Sequence, residues 1–272
     1  MMDRMEGLAV TGLGAGYPGR RIIQDLSLSP IAPGVVTALV GPNAAGKSTL
    51  LRALSGIIAA QGSILLDGVE LTALDRESRS GLVGFMPQQL PAVSQLSLLE
   101  SVLSGLRLGA MGGRGGLSTT AAEHRAVAVL ERLGVADLAL ETLDALSGGQ
   151  RQLANLAQTM VRDPRLLLLD EPTSALDMRH QVRVMKAVRH LADTGHVVVM
   201  VLHDLAFAAR WADRIVVLGR GRVVAEGAPA AVITSVMLAE VYGVRARVET
   251  CSAGFIQIAV DDLIAPAAQP IR

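Results

Sequence analysis

The chain has 272 residues, half of them hydrophobic and 18% charged, a composition that builds a large buried core and excludes intrinsic disorder. Its 25 basic residues balance 25 acidic ones, for a net charge of +0, so there is no chain-wide basic footprint for nucleic acid. A single cysteine, Cys251, excludes a disulfide framework within the chain and reads as a small apolar residue in a reducing compartment.

Mean hydropathy is +0.42, yet the longest apolar runs, 166–169 and 197–202, fall far short of the ~20 residues a spanning helix needs. The first eight residues carry Asp3 and Glu6 and no apolar stretch, so no signal peptide is expected.

In chain order, residues 7–40 read as short strands. Residues 25–29 alternate, and 35–40 form an apolar run suited to a buried strand. Gly41-Pro42-Asn43-Ala44-Ala45-Gly46-Lys47-Ser48 follows, then a helix over about 48–54 closed by Gly56. Residues 63–66 with Asp67-Gly68 read as a strand and turn.

From about 90 to 162 the pattern turns helical. Thr120-Ala121-Ala122-Glu123 reads as a capping box that opens a helix ending at Gly134. The Gly-rich stretch 107–119 reads as a loop, and Arg151 and Arg162 as charges on a helix face. Pro164 ends this block ahead of a buried strand over 166–169. A helix over about 178–192, a buried strand over 197–202 and a hairpin joining 214–217 to 223–225 complete the pattern. Trp211 packs at the end of its helix, and the alternating stretch 255–260 reads as a final strand.

Strands alternating with helices predict an α/β fold with a mostly parallel sheet covered on both faces; the helical block predicts an inserted lobe.

Residues 41–48 match G-x-x-x-x-G-K-[ST] between a predicted strand and a predicted helix, the context a phosphate-binding loop requires. Backbone N–H groups of such a loop converge with the helix N-terminus on one anion. Lys47 would reach the β- and γ-phosphates, and the Ser48 hydroxyl would ligate Mg²⁺. Ala44 stands where glycine is usual; a positive φ there would cost roughly 1 kcal/mol.

The 166–169 strand runs into Asp170-Glu171. Beside a phosphate loop, adjacent carboxylates suggest a division of labour: Asp170 in the shell of the metal, Glu171 as general base toward the attacking water. Leu146-Ser147-Gly148-Gly149-Gln150 then offers a second helix N-terminus, with Ser147 as N-cap and two glycines that let a phosphate approach the backbone.

With this last motif the sequence resembles the ATP-binding cassette (ABC) ATPases, an α/β P-loop NTPase family with a mostly parallel core sheet, an antiparallel β region and an inserted helical lobe. Further marks fall in order over residues 7–243. Tyr17 stands where the family stacks an aromatic ring on adenine, and Gln88 matches the glutamine of the loop that joins core to lobe. Ser174-Ala175-Leu176-Asp177 matches the D-loop, and His203 the switch histidine.

The resemblance implies ATP and Mg²⁺ as ligands. The nucleotide would contact Tyr17, residues 41–49 (Gly41 through Lys47, Ser48 and Thr49) and, from a partner, Ser147, Gly148, Gly149, Gln150 and Asp177. The metal would be held by Ser48, Gln88 and Asp170. Glu171, His203, Lys47 and Gln88 would carry catalysis. It further implies a core of 1–88 and 163–243, a lobe of 89–162, a tail of 244–272, and a head-to-tail homodimer with one ATP at each junction.

Local features, Phe85-Met86-Pro87-Gln88-Gln89 and Val201-Leu202-His203-Asp204-Leu205 among them, resemble the ATPases of importers for iron–siderophore complexes, haem and vitamin B12. In that branch the ATPase is peripheral at the cytoplasmic membrane face, on a transmembrane permease served by a substrate-binding protein, with no nucleic acid involved. The alternative, a soluble ABC ATPase acting on nucleic acid or ribosomes, lacks the paired cassettes, long heptads or zinc insertions such proteins carry. A subunit that binds without hydrolysing is disfavoured because Lys47, Gln88, Glu171 and His203 are all present.

Overall fold

The computed structural model describes residues 6–88, 94–110 and 118–264. Its elements are β1 (Leu8–Tyr17), β2 (Arg20–Ile31), β3 (Val36–Val40), α1 (Lys47–Ser55), β4 (Ala60–Leu66), β5 (Val69–Glu70), α2 (Arg76–Leu82), β6 (Val83–Met86), α3 (Leu98–Ala110), α4 (Thr119–Leu133) and α5 (Gly148–Met160). There follow β7 (Leu166–Asp170), α6 (Met178–Asp193), β8 (Val197–Val201), α7 (Leu205–Trp211), β9 (Arg214–Gly219), β10 (Arg222–Gly227), β11 (Val244–Thr250) and β12 (Ile256–Leu263).

The central sheet has the order β10-β9-β3-β8-β7-β6. All neighbours are parallel except the β9–β10 hairpin. A parallel sheet is covered on both faces, which is why β3, β7 and β8 are wholly buried.

Side chains alternate between the faces. Leu167 and Leu169 join Val198, Met200 and Ala38 against α3 to α6. Leu166 and Leu168 join Val197, Val199 and Leu39 against α1 and an antiparallel sheet of order β2-β1-β4-β5. That sheet is the antiparallel region expected of the fold. Helices α3, α4 and α5 pack on one another beside the central sheet.

Several local expectations change. The strands over 7–31 are long, not short: β1 spans 10 residues and β2 spans 12. Helix α2 and strand β6 were not anticipated, because their runs are too short to show a period. The N-cap of α4 is Ser118, whose side chain accepts from Ala121 N, and Thr120 lies inside the helix. Helix α3 continues to Ala110, so 107–110 are helical; residues 111–117 of the expected loop lie outside the described residues.

Arg162 follows the end of α5 and donates to the Ser80 carbonyl, so it ties α2 to the sheet edge and is not a helix-face charge. Trp211 ends α7, its ring 6.2 Å from that of Phe207. The expected last strand exists as β12, but it pairs with β11 in a separate two-stranded sheet.

Candidate functional site

Strands β3, β8, β7 and β6 lie side by side and run parallel, so their carboxyl ends share one edge. In open α/β sheets that edge is where ligands bind. Lys47 and Ser48 follow β3, His203 follows β8, Asp170 and Glu171 close β7, and Gln88 follows β6. The order in space therefore differs from the order in the chain.

Gly46 caps α1 with a φ of 103°. A Cβ there would lie 2.8 Å from Cδ1 of Ile23, and one on Gly41 (φ 143°) would lie 2.1 Å from the Leu218 carbonyl oxygen. Both positions need glycine for the loop to sit this close to its surroundings. Ala44 does adopt the left-handed region, with a φ of 62°, at a cost of about 1–2 kcal/mol for a residue bearing a Cβ.

Lys47 is buried. Its Nζ donates to the carbonyls of Gly41 at 2.7 Å and Pro42 at 3.0 Å. Burial holds the ammonium below the ordinary lysine range, against the opposing pull of Glu171 and Asp170.

Asp170 is fully buried. Its Oδ1 accepts from the Ser48 hydroxyl at 3.1 Å, and its Oδ2 has no partner among the described residues. Burial pushes its carboxyl above the ordinary range; the Ser48 bond opposes that shift and Glu171 adds to it. An orphaned carboxylate oxygen beside a hydroxyl is a hard, anionic oxygen set that a divalent cation completes, so these residues fit Mg²⁺.

Glu171 carries a left-handed backbone, φ 56°, and its Oε1 is 2.5 Å from Nε2 of the exposed His203. Its carbonyl accepts from Gln152 Nε2 at 2.6 Å and from the Ser174 hydroxyl at 3.2 Å. Tyr17 is exposed, and its hydroxyl accepts from Arg52 at 2.7 Å.

Tyr17, Asn43, Ala44, Ala45, Gly46, Lys47, Ser48, Thr49, Gln88, Glu171 and His203 line one cleft of about 650 Å³, together with Arg20 and Ile22. Gly41 and Pro42 are joined to it by the Lys47 ammonium on their carbonyls, and Asp170 by the Ser48 hydroxyl.

The remaining expected site residues stand apart from this cleft. Ser147 caps α5 in a reciprocal box with Gln150: Gln150 N donates to Ser147 Oγ at 3.3 Å and Ser147 N to Gln150 Oε1 at 2.8 Å. Ser147 is exposed, and Gly148 and Gly149 are partly so. Asp177 caps α6, accepting from His180 N at 2.8 Å, with the His180 ring Nδ1 2.9 Å away.

Sequence reading missed Arg20 and Ile22 on the cleft wall, Arg52 on Tyr17, and the buried amides of Gln152 and Asn155. Only the last two left a trace: they are polar residues on the face of α5 that its apolar neighbours turn inward.

A family model described as ABC transporter matches residues 23–174. The chain is 41% identical over 232 residues to a hemin import ATP-binding protein of Myxococcus xanthus, covering 82% of this chain and 84% of that one. It is 36% identical to an iron(3+)-hydroxamate import ATP-binding protein of Bacillus subtilis, covering 90% and 91%. It is 39% identical to a cobalamin import ATP-binding protein of Halobacterium salinarum, covering 89% of this chain but spanning only 60% of that relative's length. Among solved structures, a dimeric ATP-binding cassette in a post-hydrolysis state with ADP and Pi superposes with a TM-score of 0.73 at 26% identity, over 82% of this chain and 98% of the other. An ABC transporter in an inward-facing conformation gives 0.76 at 27%, over 94% and 97%.

Proposed function

We propose, since this chain belongs to the ABC transporter ATP-binding family, that it is the ATP-hydrolysing subunit of an importer that moves an iron–siderophore, haem or cobalamin-type substrate through a separate permease. The observation that carries this reading is the split of the site. Lys47, Ser48, Glu171 and His203 face one cleft, while the phosphate-ready N-terminus of α5 stands outside it. One chain holds a nucleotide on one side only, and a second copy, head to tail, supplies Ser147 and Gly149 to the γ-phosphate.

In the assembled site Tyr17 stacks on the base, and the loop N–H groups with Lys47 bind the β- and γ-phosphates. Ser48, Gln88 and Asp170 would hold Mg²⁺, which would supply charge neutralisation on the phosphate oxygens. Glu171 orients the attacking water and takes its proton, and His203 contacts the γ-phosphate as charge develops. ATP adds negative charge between two anion-seeking surfaces, and hydrolysis weakens that attraction. The core (1–88 and 163–243) and the lobe (89–162) then shift relative to each other, and a permease docked near Gln88 feels the motion.

No helix among the described residues is long and apolar enough to cross a membrane, which suits a subunit held at the cytoplasmic face by its permease. The test is to express a tagged Glu171→Gln chain in its native host, solubilise membranes in mild detergent with MgATP, and identify what co-purifies. Recovery of a multi-span permease with a substrate-binding protein supports the importer reading; recovery of ribosomes or nucleic acid overturns it.

A further inference from the structure

The signature helix α5 carries two buried amides whose donors do not serve the helix itself. Gln152 is 3% exposed and Asn155 is 6% exposed, and they lie three residues apart on one helix face. Gln152 Nε2 donates to the backbone carbonyl of Glu171 at 2.6 Å and lies 3.5 Å from the Ser174 hydroxyl. Asn155 Nδ2 donates to the carbonyl of Pro87 at 3.4 Å, one residue before Gln88.

Both acceptors belong to short segments that place cleft side chains. Glu171 is the more demanding of the two, because its φ of 56° is costly for a residue with a Cβ and persists only where its surroundings fix it. The strongest contact made to its carbonyl comes from α5, not from β7 or the cleft.

We infer that Gln152 is a positioning residue for Glu171: its amide holds the strained Glu171 backbone so that the carboxylate points into the cleft, and it ties that orientation to the signature helix. Asn155 does the same more weakly for the segment carrying Gln88. A partner engaging Ser147 and Gly149 at the N-terminus of α5 therefore acts on a rigid helix whose next two turns hold the backbone on both sides of the attacking water. Neither amide lines the cleft; they act through the residues they hold.

This inference rests on the ATPase reading above, and the test separates the two. Steady-state turnover of the full chain with MgATP is compared for wild type, Glu171→Gln, Gln152→Met and Asn155→Leu, with thermal stability and the KM for ATP measured on each. Methionine keeps the length and volume of glutamine without its donor. Gln152→Met should lower kcat about tenfold or more, the scale of effect small misplacements produce, while KM stays within about twofold of wild type, since binding groups are untouched.

A kcat equal to wild type in folded Gln152→Met overturns the inference. So does a loss in which KM and melting temperature move in proportion to kcat, because that pattern marks a purely structural role. If Gln152→Met does not fold, Gln152→Asn decides: it keeps a polar amide but draws the donor back by one methylene from the Glu171 carbonyl, and an unchanged kcat in that folded variant overturns the inference as well. If wild type shows no turnover, the ATPase reading itself fails; if Glu171→Gln turns over as fast as wild type, the role given to Glu171 falls and this inference falls with it.

Discussion

The imidazole Nε2 of His203 stands 2.5 Å from Oε1 of Glu171, so the side chain assigned to the attacking water and the one assigned to the γ-phosphate are hydrogen-bonded to each other. The pair spans neighbouring strand ends, β7 and β8, and each partner restrains the other.

Glu171→Gln should keep ATP binding, lower kcat by about 10²–10⁴, the usual range for loss of a general base, and accumulate a closed dimer in MgATP. Product release assays and light scattering check both halves. Persistent monomer would confine the head-to-tail model to the permease-bound assembly.

Mixing inactive chains tests the shared site directly. Lys47→Ala disables a cleft and Ser147→Arg disables a signature. If each site draws on two copies, the mixed dimer regains one intact site, and random pairing restores about a quarter of wild-type turnover. No recovery would indicate that each chain uses its own signature.

Asp170→Asn should raise the stability of the chain measured without Mg²⁺ and nucleotide while abolishing hydrolysis. The cause is the buried, half-partnered carboxylate: asparagine keeps an acceptor for Ser48 and removes the desolvated charge. At this chain length each kcal/mol moves the melting temperature by about 2–4 °C, so differential scanning calorimetry resolves the gain. A fall in melting temperature would count against the cost assigned to that charge.

Glu70 sets an acid limit. Burial alone would raise its pKa, but hydrogen bonds from Ser63, Thr72 and the Ile64 N–H outweigh it and bring the value down from 4.5 to about 2. A depressed carboxylate contributes stability that is present above the unfolded value and lost as pH falls from 4.5 through about 2. Denaturant titrations across that window should show wild type losing stability faster than Glu70→Gln; parallel curves would refute the assignment.

Ala44→Val should cost about 1–2 kcal/mol beyond any packing change, because a β-branched residue tolerates the left-handed region poorly. Ala44→Gly relieves that strain but frees the unfolded chain by about 0.4–1 kcal/mol, so its net effect is small. Equal stabilities for the valine and glycine variants would show that the loop does not hold its positive φ in solution.

The fold was legible wherever burial imposes a run or a period. The unbroken apolar stretches of β7 and β8, the glycine stops at Gly56 and Gly134, and the Ser147 cap each state their element in a few residues. Elements β6 and α2 are hidden because runs of four and seven residues fit several periods, and Thr120 fits a cap in sequence although Ser118 makes it. The glycine-spaced loop 41–48 could be read directly from its pattern. Arg52, Gln152 and Asn155 could not, since their partners are 35, 19 and 68 positions away in the chain and only folding brings them together.

The strand order places the groups at the cleft in the sequence Lys47 and Ser48, His203, Glu171, Gln88, one strand apart at each step. Neighbouring strands are spaced about 4.8 Å apart by their hydrogen bonds. The sheet thus serves as a ruler. The span from Lys47 to Glu171 is set by backbone pairing that substitutions other than proline leave in place, and evolution of this site is left to vary what stands at each mark, not where the marks fall.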